Sequence, residues 1–219
     1  MWDFLQTYGG RIAEGTAVTG AQFGLATAVA LLAALAAGLG RLSDHWPVRA
    51  AATTYVEIFR GTSLLVQLYW IFYVLPLFGI SLPKFTAGFL SVGLNVGAYG
   101  AEIVRGSILS VPRGQWEAAY ALSMSPLKRM RRIILPQAFV LMLPPWGNLL
   151  IELLKGTALV ALIGVADLMF VAKQINGSTF LSAEAFGTAL VIYYLLARVL
   201  ITPAMRRLER SMARRLGRA

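Results

Sequence analysis

Long stretches without a charged residue constrain this chain more than any other feature of its sequence. Asp, Glu, Lys and Arg are absent from four segments: 15–40, 61–83, 85–101 and 133–151. A fifth apolar segment, 185–205, contains only Arg198. A helix that crosses a membrane needs about 20 mostly apolar residues, with a range of about 17–25. Because a chain in lipid must satisfy its own backbone hydrogen bonds, the pattern predicts an all-α, polytopic membrane protein.

The residue content argues against a soluble enzyme. Of the 219 residues, 58% are hydrophobic and 14% are charged, whereas about 25% of a typical soluble domain is charged. The chain has no cysteine and a single histidine, His45, so disulfides, thiolate metal sites and histidine clusters are excluded. We therefore expect no metal site and no catalytic residue.

The basic residues indicate how the chain crosses the membrane. Fourteen of the 20 Lys and Arg residues lie in one set of alternating polar segments: 41–53, 105–132 and 206–219. Positively charged loops remain on the cytoplasmic side of a membrane. The charges therefore predict an N-terminus outside and a C-terminus in the cytoplasm, where the arginine-rich tail that ends with Arg218 would contact membrane lipid.

These charges also decide how many segments cross. We predict one transmembrane domain, 1–219, with spans at about 16–40, 54–80, 84–105, 133–154 and 185–206. A sixth span would place the arginine-rich tail outside, so the remaining apolar run, 155–176, is predicted to be a re-entrant or outer segment. Residues 1–14 have apolar side chains near helical spacing, which predicts a short helix lying on the outer membrane face.

Three pairs of an acid and a base share the same spacing of three residues. They are Glu57 with Arg60, Glu102 with Arg105, and Glu152 with Lys155. Residues three apart share a helix face and can form ion pairs, and charges near hydrocarbon are costly unless paired or facing a cavity. Each pair either anchors the end of a span or lines a translocation pathway. Gln67, Asn148 and Thr157 are further pathway candidates, although each is equally suited to bridging two helices.

The longest polar segment, 106–132, joins the third and fourth spans. Its central part, GQWEAAYALSM, lies between Pro112 and Pro126 and reads as a short helix with Glu117 in its first turn. Helix dipoles favour an anion at that position. A small exposed helix can insert into a groove of a cytoplasmic partner, or it can simply connect two spans.

This segment resembles the EAA signature of the permease subunits of ABC importers. Glu117, Ala118 and Ala119 match it, and Ser123 stands where the family usually has glycine. Further stretches resemble the polar amino acid permease subfamily: YVEIFRGTSLLVQLYW at 55–70, GAYGAEIVRGSI at 97–108, IILPQA at 133–138 and NLLIELLKGTALVALIGVADL at 148–168.

The resemblance implies the type I importer permease fold with five spans, in the inner membrane of a bacterium. It implies a dimer of a separate ATPase in the cytoplasm, a second permease subunit that is either the same chain or a paralogue, and a soluble solute-binding protein outside. Residues 117–123 would form the coupling helix that sits on the ATPase. ATP and magnesium would be bound by that partner, since this chain has no GxxxxGK loop to cradle phosphates.

Several functional alternatives stay open at this point. The subfamily implies polar amino acids or similar zwitterions as solutes, and a cyclic amino-acid osmolyte such as ectoine is an alternative. No unpaired charge is expected in a span core, so a strongly charged solute is not required. A stand-alone channel or secondary transporter is disfavoured, because such carriers often have repeated halves and no repeat is visible. Nucleic-acid binding is disfavoured because the basic residues are not on one soluble face.

Overall fold

The computed structural model describes residues 2–215, so Arg218 of the predicted basic tail lies outside the described residues. The helices in that range are α1 Trp2–Gly40, α2 Trp46–Gly61, α3 Leu64–Tyr69, α4 Lys84–Leu109, α5 Arg113–Ala121, α6 Pro126–Arg129, α7 Leu135–Thr157, α8 Leu168–Thr179, α9 Ser182–Leu195 and α10 Thr202–Arg215. Wider π-helical turns occupy Trp70–Val74, Met130–Ile134 and Leu196–Ile201, and 3₁₀ turns occupy Leu75–Phe78 and Ala158–Ile163.

Four helical runs of the described chain are long and apolar enough to cross a membrane. They are Trp2–Gly40, Lys84–Leu109, Pro126–Ile163 and Ser182–Met212. A fifth is obtained when the bent pair Trp46–Gly61 and Leu64–Phe78 is counted as one span. The predicted all-α membrane fold is confirmed.

The second predicted span, 54–80, is not a continuous helix. The chain turns by 108° between Trp46–Gly61 and Leu64–Phe78. Thr62 and Ser63 both have extended backbone there, with φ, ψ of −123°, 156° and −72°, 136°. Hydropathy did not predict this break, because one Thr and one Ser hardly change the mean hydropathy of an apolar segment.

The first helix is longer than predicted, and residues 2–14 are not a separate surface segment. Helix α1 has 39 residues and so measures about 58 Å at 1.5 Å per residue, against about 30 Å for a hydrocarbon core. Its early residues Phe4 and Ile12 are buried in a cluster with Leu168, Val171 and Ala185. Packing against α8 and α9 therefore holds the start of α1 in line with the rest of the helix.

Helices α1 and α4 run side by side in contact through small residues. Ala26, Ala30 and Ala34 are fully buried on α1, and they lie opposite Gly93, Gly97 and Gly100 of α4. Small residues allow helix backbones to approach closely in membrane proteins. Farther along, Val104 and Ile108 join a cluster with Ile134 and Ala138 of the fourth span. We call the end of the bundle that carries Arg41, α5, α6 and α10 the basic end.

Enlarging a glycine at this contact is expected to destabilise the fold. A Cβ at Gly93 would lie 2.7 Å from Cβ of Val29 and 2.8 Å from the carbonyl oxygen of Ala26, so Gly93→Ala forces the helices apart, at about 1–3 kcal/mol. Gly106, in the same helix, has nothing within 4 Å of its Cβ position. Gly106→Ala should stabilise α4 by about 0.5–1 kcal/mol. Thermal unfolding in detergent measures both, and equal midpoints would contradict the packing argument.

The predicted re-entrant or outer segment, 155–176, contains the end of α7, a 3₁₀ turn and most of α8. Helix α7 ends at Thr157, and the 3₁₀ turn that follows ends at Gly164, which has a left-handed φ of 77°. Helix α8 then runs toward the start of α1, where Gln174 accepts a hydrogen bond from Arg11. Asp167 then caps α8 by accepting a hydrogen bond from the Phe170 N–H at 2.9 Å. Its carboxylate is fully buried and also accepts from the Tyr193 hydroxyl at 3.3 Å. Asp167 thereby fixes the start of α8 to α9.

Candidate functional site

A groove opens along one side of the bundle between α3, α4 and α7. It has a volume of about 590 Å³, and its polar lining side chains are Asn95, Tyr99, Asn148 and Glu152. Helical periodicity explains why these four side chains face the same groove. Asn95 and Tyr99 are four residues apart on α4, and Asn148 and Glu152 are four apart on α7. Of the sequence-predicted pathway residues, Asn148 and Glu152 line this groove, whereas Thr157 is fully buried and does not line it.

Glu152 lies near the middle of the bundle, which differs from its predicted position at the outer end of a span. It faces the same groove as Asn95, and Asn95 is 11 residues after Lys84 and 14 before Leu109 in α4. The fourth span runs on to Ile163. The predicted span ended at residue 154, just before Lys155, but both Glu152 and Lys155 lie inside the helix. Their side chains are 70% and 65% exposed and only 3.8 Å apart.

The groove has the chemistry of a site for an ammonium or amidinium group. Glu152 is the one charged residue among the described residues that line it. Both amide hydrogens of Asn95 are used elsewhere, at Gln67 Oε1 and Phe59 O, which leaves its Oδ1 as an acceptor. Asn148 can donate to a carboxylate, and the ring of Tyr99 offers a face to a cation. The groove therefore offers groups complementary to both the cationic and the carboxylate group of a zwitterion.

A buried polar cluster stabilises the bend between α2 and α3. Gln67 Nε2 donates to the Phe59 carbonyl at 2.9 Å and to Thr62 Oγ1 at 2.6 Å. Asn95 Nδ2 donates to Gln67 Oε1 at 3.0 Å and to the same carbonyl at 3.1 Å. The carbonyls that end a helix need such partners, so Gln67 acts as a structural residue of the bend.

Glu102 is the centre of an ion cluster at the basic end. Its Oε1 accepts from Arg41 and, at 3.1 Å, from Arg60, while its Oε2 accepts from Arg105 at 3.1 Å. The predicted pair of Glu102 with Arg105 is confirmed. The predicted pair of Glu57 with Arg60 is wrong, because α2 places Arg60 against α4, and Glu57 is exposed with no ion pair among the described residues.

The ion cluster is connected to the groove through Tyr99. The Arg60 guanidinium lies 5.4 Å from the centre of the Tyr99 ring, and Tyr99 lines the groove. Neither Tyr99 nor Arg41 was among the sequence-predicted site residues. Tyr99 is four residues after Asn95 and three before Glu102, so helical spacing alone could have placed it on the same face as both. The contact of Arg41 with Glu102 joins residues 61 apart, so no local sequence pattern indicates it.

The predicted coupling segment is a short helix with a well-formed C-terminus. Helix α5 covers Arg113–Ala121, slightly shorter than the predicted 114–124. Ser123 has a left-handed φ of 50°, and the N–H groups of Ser123 and Met124 donate to the carbonyls of Tyr120 at 2.8 Å and Ala119 at 3.1 Å. This is the Schellman arrangement, which favours glycine at the left-handed position. Serine adopts the same turn here.

Helix α5 has an exposed edge that carries Glu117, and its other side packs against Arg129. Glu117 and Ala118 are exposed and Ala119 is buried. The Arg129 guanidinium stacks on the ring of Tyr120 at 3.9 Å and faces Trp116 at 5.7 Å. Neither ring was predicted as a site residue, although their four-residue spacing places them on one helix face.

A hydrogen bond also joins α5 directly to the helix that lines the groove. Gln137 Nε2, near the start of α7, donates to Gln115 Oε1 at 3.0 Å. Asn148 and Glu152 lie farther along the same helix. This bond links α5 to the helix that forms one wall of the groove.

Comparison with known proteins agrees with this architecture. Residues 22–214 match the family model described as binding-protein-dependent transport system inner membrane component. A probable amino-acid ABC transporter permease protein, y4tF of Sinorhizobium fredii, is 44% identical over 186 residues, which cover 82% of this chain and 78% of that protein. The glutamine transport system permease protein GlnP of Escherichia coli is 37% identical, covering 86% of each chain.

A solved structure has the same fold. It is described as the crystal structure of an amino acid ABC transporter with histidines, and its chain is 36% identical to this one. The two superpose with a TM-score of 0.87 over 94% of this chain and 96% of the other. The chain therefore belongs to the family of inner-membrane components of binding-protein-dependent transport systems, as a permease component of an amino-acid ABC importer.

Proposed function

We propose that this chain forms half of a translocation path for amino acids that carry an ammonium or other cationic group. The observation that carries the proposal is the exposure of Glu152 at mid-height of the bundle. A carboxylate there is too costly to face lipid and instead marks a cavity that contains water or solute. The groove is open on one side, so a second permease subunit, the same chain or a paralogue, completes its wall.

The basic end is proposed to lie in the cytoplasm, with the N-terminus outside. The positive-inside rule supports this orientation, since α5, α6 and the arginines of α10 all lie at that end. A separate ATPase dimer is proposed to bind the exposed Glu117 edge of α5 and to hydrolyse ATP with magnesium. Its closure would move α5 and, through the bond from Gln115 to Gln137, the groove helix α7.

The solute is delivered, in this proposal, by a binding protein at the opposite end of the bundle. Glutamine is named for one relative and histidines for the superposed structure, and an α-amino acid of either kind carries an ammonium group for Glu152. A cyclic amidine zwitterion such as ectoine has the same pair of charges, and Tyr99 provides an aromatic face for its ring cation.

ATPase activity in proteoliposomes tests this function. The permease, its ATPase and candidate binding proteins are reconstituted, and ATP hydrolysis is compared with arginine, glutamine, glutamate, histidine and ectoine. We expect one loaded binding protein to stimulate hydrolysis together with uptake of its solute. If no binding protein stimulates a stable complex, a paralogous permease is added, and continued failure contradicts the proposal. Uptake that survives ATP depletion and follows an ion gradient would instead indicate a secondary transporter.

A further inference from the structure

Arg129 is a buried cation to which the proposed function gives no task. It is the last residue of the short helix α6 and is only 9% exposed. Its buried Nε has no hydrogen-bond acceptor, and it forms no ion pair within the described part of the chain. Taking a charge out of water is costly unless other groups compensate for it. Compensation comes from the rings of Tyr120 and Trp116, whose centres lie 3.9 Å and 5.7 Å from the guanidinium carbon.

Tyr120 connects this buried contact to the exposed edge of α5. The residue is 61% exposed, so one face of its ring covers Arg129 while the rest of the side chain is open to a partner. It lies three residues after Glu117, and residues three apart share a helix face. An ATPase that binds the Glu117 edge, as in the proposed function on which this inference rests, therefore also contacts Tyr120. The ring then lies between that partner and Arg129.

Arg129 belongs to the helical run that carries the groove residues. Helix α6, the π-helical turn and α7 lie in one run, Pro126–Ile163, which includes Asn148 and Glu152. Two polar links join α5 to this run: the stack on Arg129 and the exposed hydrogen bond of Gln115 with Gln137. A neutral hydrogen bond changes an equilibrium by about tenfold at most, whereas a desolvated cation–π contact changes it by about 30-fold. The stack is therefore the stronger link.

We propose that Arg129 is a positioning residue for coupling, because its stack on Tyr120 makes α5 and the run that carries Glu152 move together when the ATPase closes. Arg129 contacts neither solute nor ATP. Without the guanidinium, α5 shifts more independently, so ATP is still hydrolysed while the groove helix follows less of the movement. A residue that only stabilised the fold would instead lower the amount of assembled complex and leave the number of solutes imported per ATP unchanged.

The ratio of solute imported to ATP hydrolysed tests this positioning. The permease is reconstituted with its ATPase and a loaded binding protein, and each variant is normalised to the ATPase that co-purifies with it. Arg129→Met keeps an unbranched side chain but removes the charge, and should lower the ratio about fivefold or more. Tyr120→Leu removes the ring and should do the same. The double variant should be no worse than either single variant, since both remove one contact.

Conservative variants and a matched control separate this contact from general effects of charge. Arg129→Lys and Tyr120→Phe keep a cation and a ring face, so each should retain about half of the ratio or more. Lys128→Met removes the same charge from the exposed neighbouring residue and should change the ratio by less than about twofold.

Two kinds of result would contradict these proposals, and they are distinguishable. An unchanged ratio in Arg129→Met, an equal loss in Lys128→Met, or additive losses in the double variant would overturn the positioning by Arg129 and leave the importer function intact. A wild-type complex whose ATP hydrolysis ignores every loaded binding protein would refute the proposed function, and this inference with it.

Discussion

Glu152→Gln is expected to reduce solute uptake by the reconstituted importer at least tenfold. The substitution keeps the size of the side chain but removes the charge that faces the groove beside Asn95 and Tyr99. A hydrogen bond to a charged group contributes about 1.5–3 kcal/mol, which is a factor of about ten to 150 in binding. Initial rates of uptake of labelled solute measure the loss, and basal ATPase activity should stay within twofold of the wild type.

A matched control and an accessibility measurement make this prediction specific. Asp44→Asn removes a carboxylate from the exposed α1–α2 loop and should leave uptake unchanged. The chain has no cysteine, so Glu152→Cys is the one thiol in the permease and should react with a membrane-impermeant thiol reagent. Leu195→Cys, on the exposed apolar side of α9, should not. Wild-type uptake in Glu152→Gln, or an unreactive thiol at position 152, would refute the pathway role.

Glu117→Lys is expected to abolish coupled transport while the complex still assembles in the membrane. Glu117 is exposed on α5. Reversing its charge at an interface that is complementary to a carboxylate brings like charges together, which costs several kcal/mol. Uptake should therefore fall more than tenfold. The rest of α5 is held by the stacking of Arg129 on Tyr120 and by the turn at Ser123. Assembly should therefore survive, and ATP hydrolysis should persist without responding to the loaded binding protein.

The same charge reversal away from α5 provides the comparison. Glu14→Lys alters an exposed residue of α1 far from the basic end and should preserve coupling of hydrolysis to uptake. Co-purification of the ATPase with each variant separates loss of docking from loss of coupling. Normal uptake in Glu117→Lys would remove this residue from the coupling role.

The features that the sequence predicted well depend on local signals. Charge-free segments identify the membrane helices, because hydrocarbon excludes unpaired charges wherever the segment packs. Pro112 and Pro126 lie on either side of the short helix α5, and both are visible in the sequence. Glu102 and Arg105 share a helix face, so their pairing follows from spacing alone. None of these conclusions requires knowledge of a second helix.

The fourth span was predicted to end at residue 154, before the charge of Lys155. The helical run instead continues to Ile163, so Glu152 lies at mid-height of the bundle. The break at Thr62 was also missed, since its stabilisation comes from Gln67 and Asn95 rather than from its neighbours. The local sequence could not place these residues, because their partners lie on other helices.

By itself, the sequence determined the class of the protein, its apolar helices and the short helix in its longest polar segment, because hydropathy, helix ends and i to i+3 spacing act over a few residues. Only the tertiary structure decided the height of Glu152 in the groove and the gathering of three arginines around Glu102. The packing of Gly93, Gly97 and Gly100 against α1 helps set how far each helix is shifted along its neighbours. That shift decides which polar groups share a groove, and it depends on contacts between residues about 60 or more positions apart along the chain.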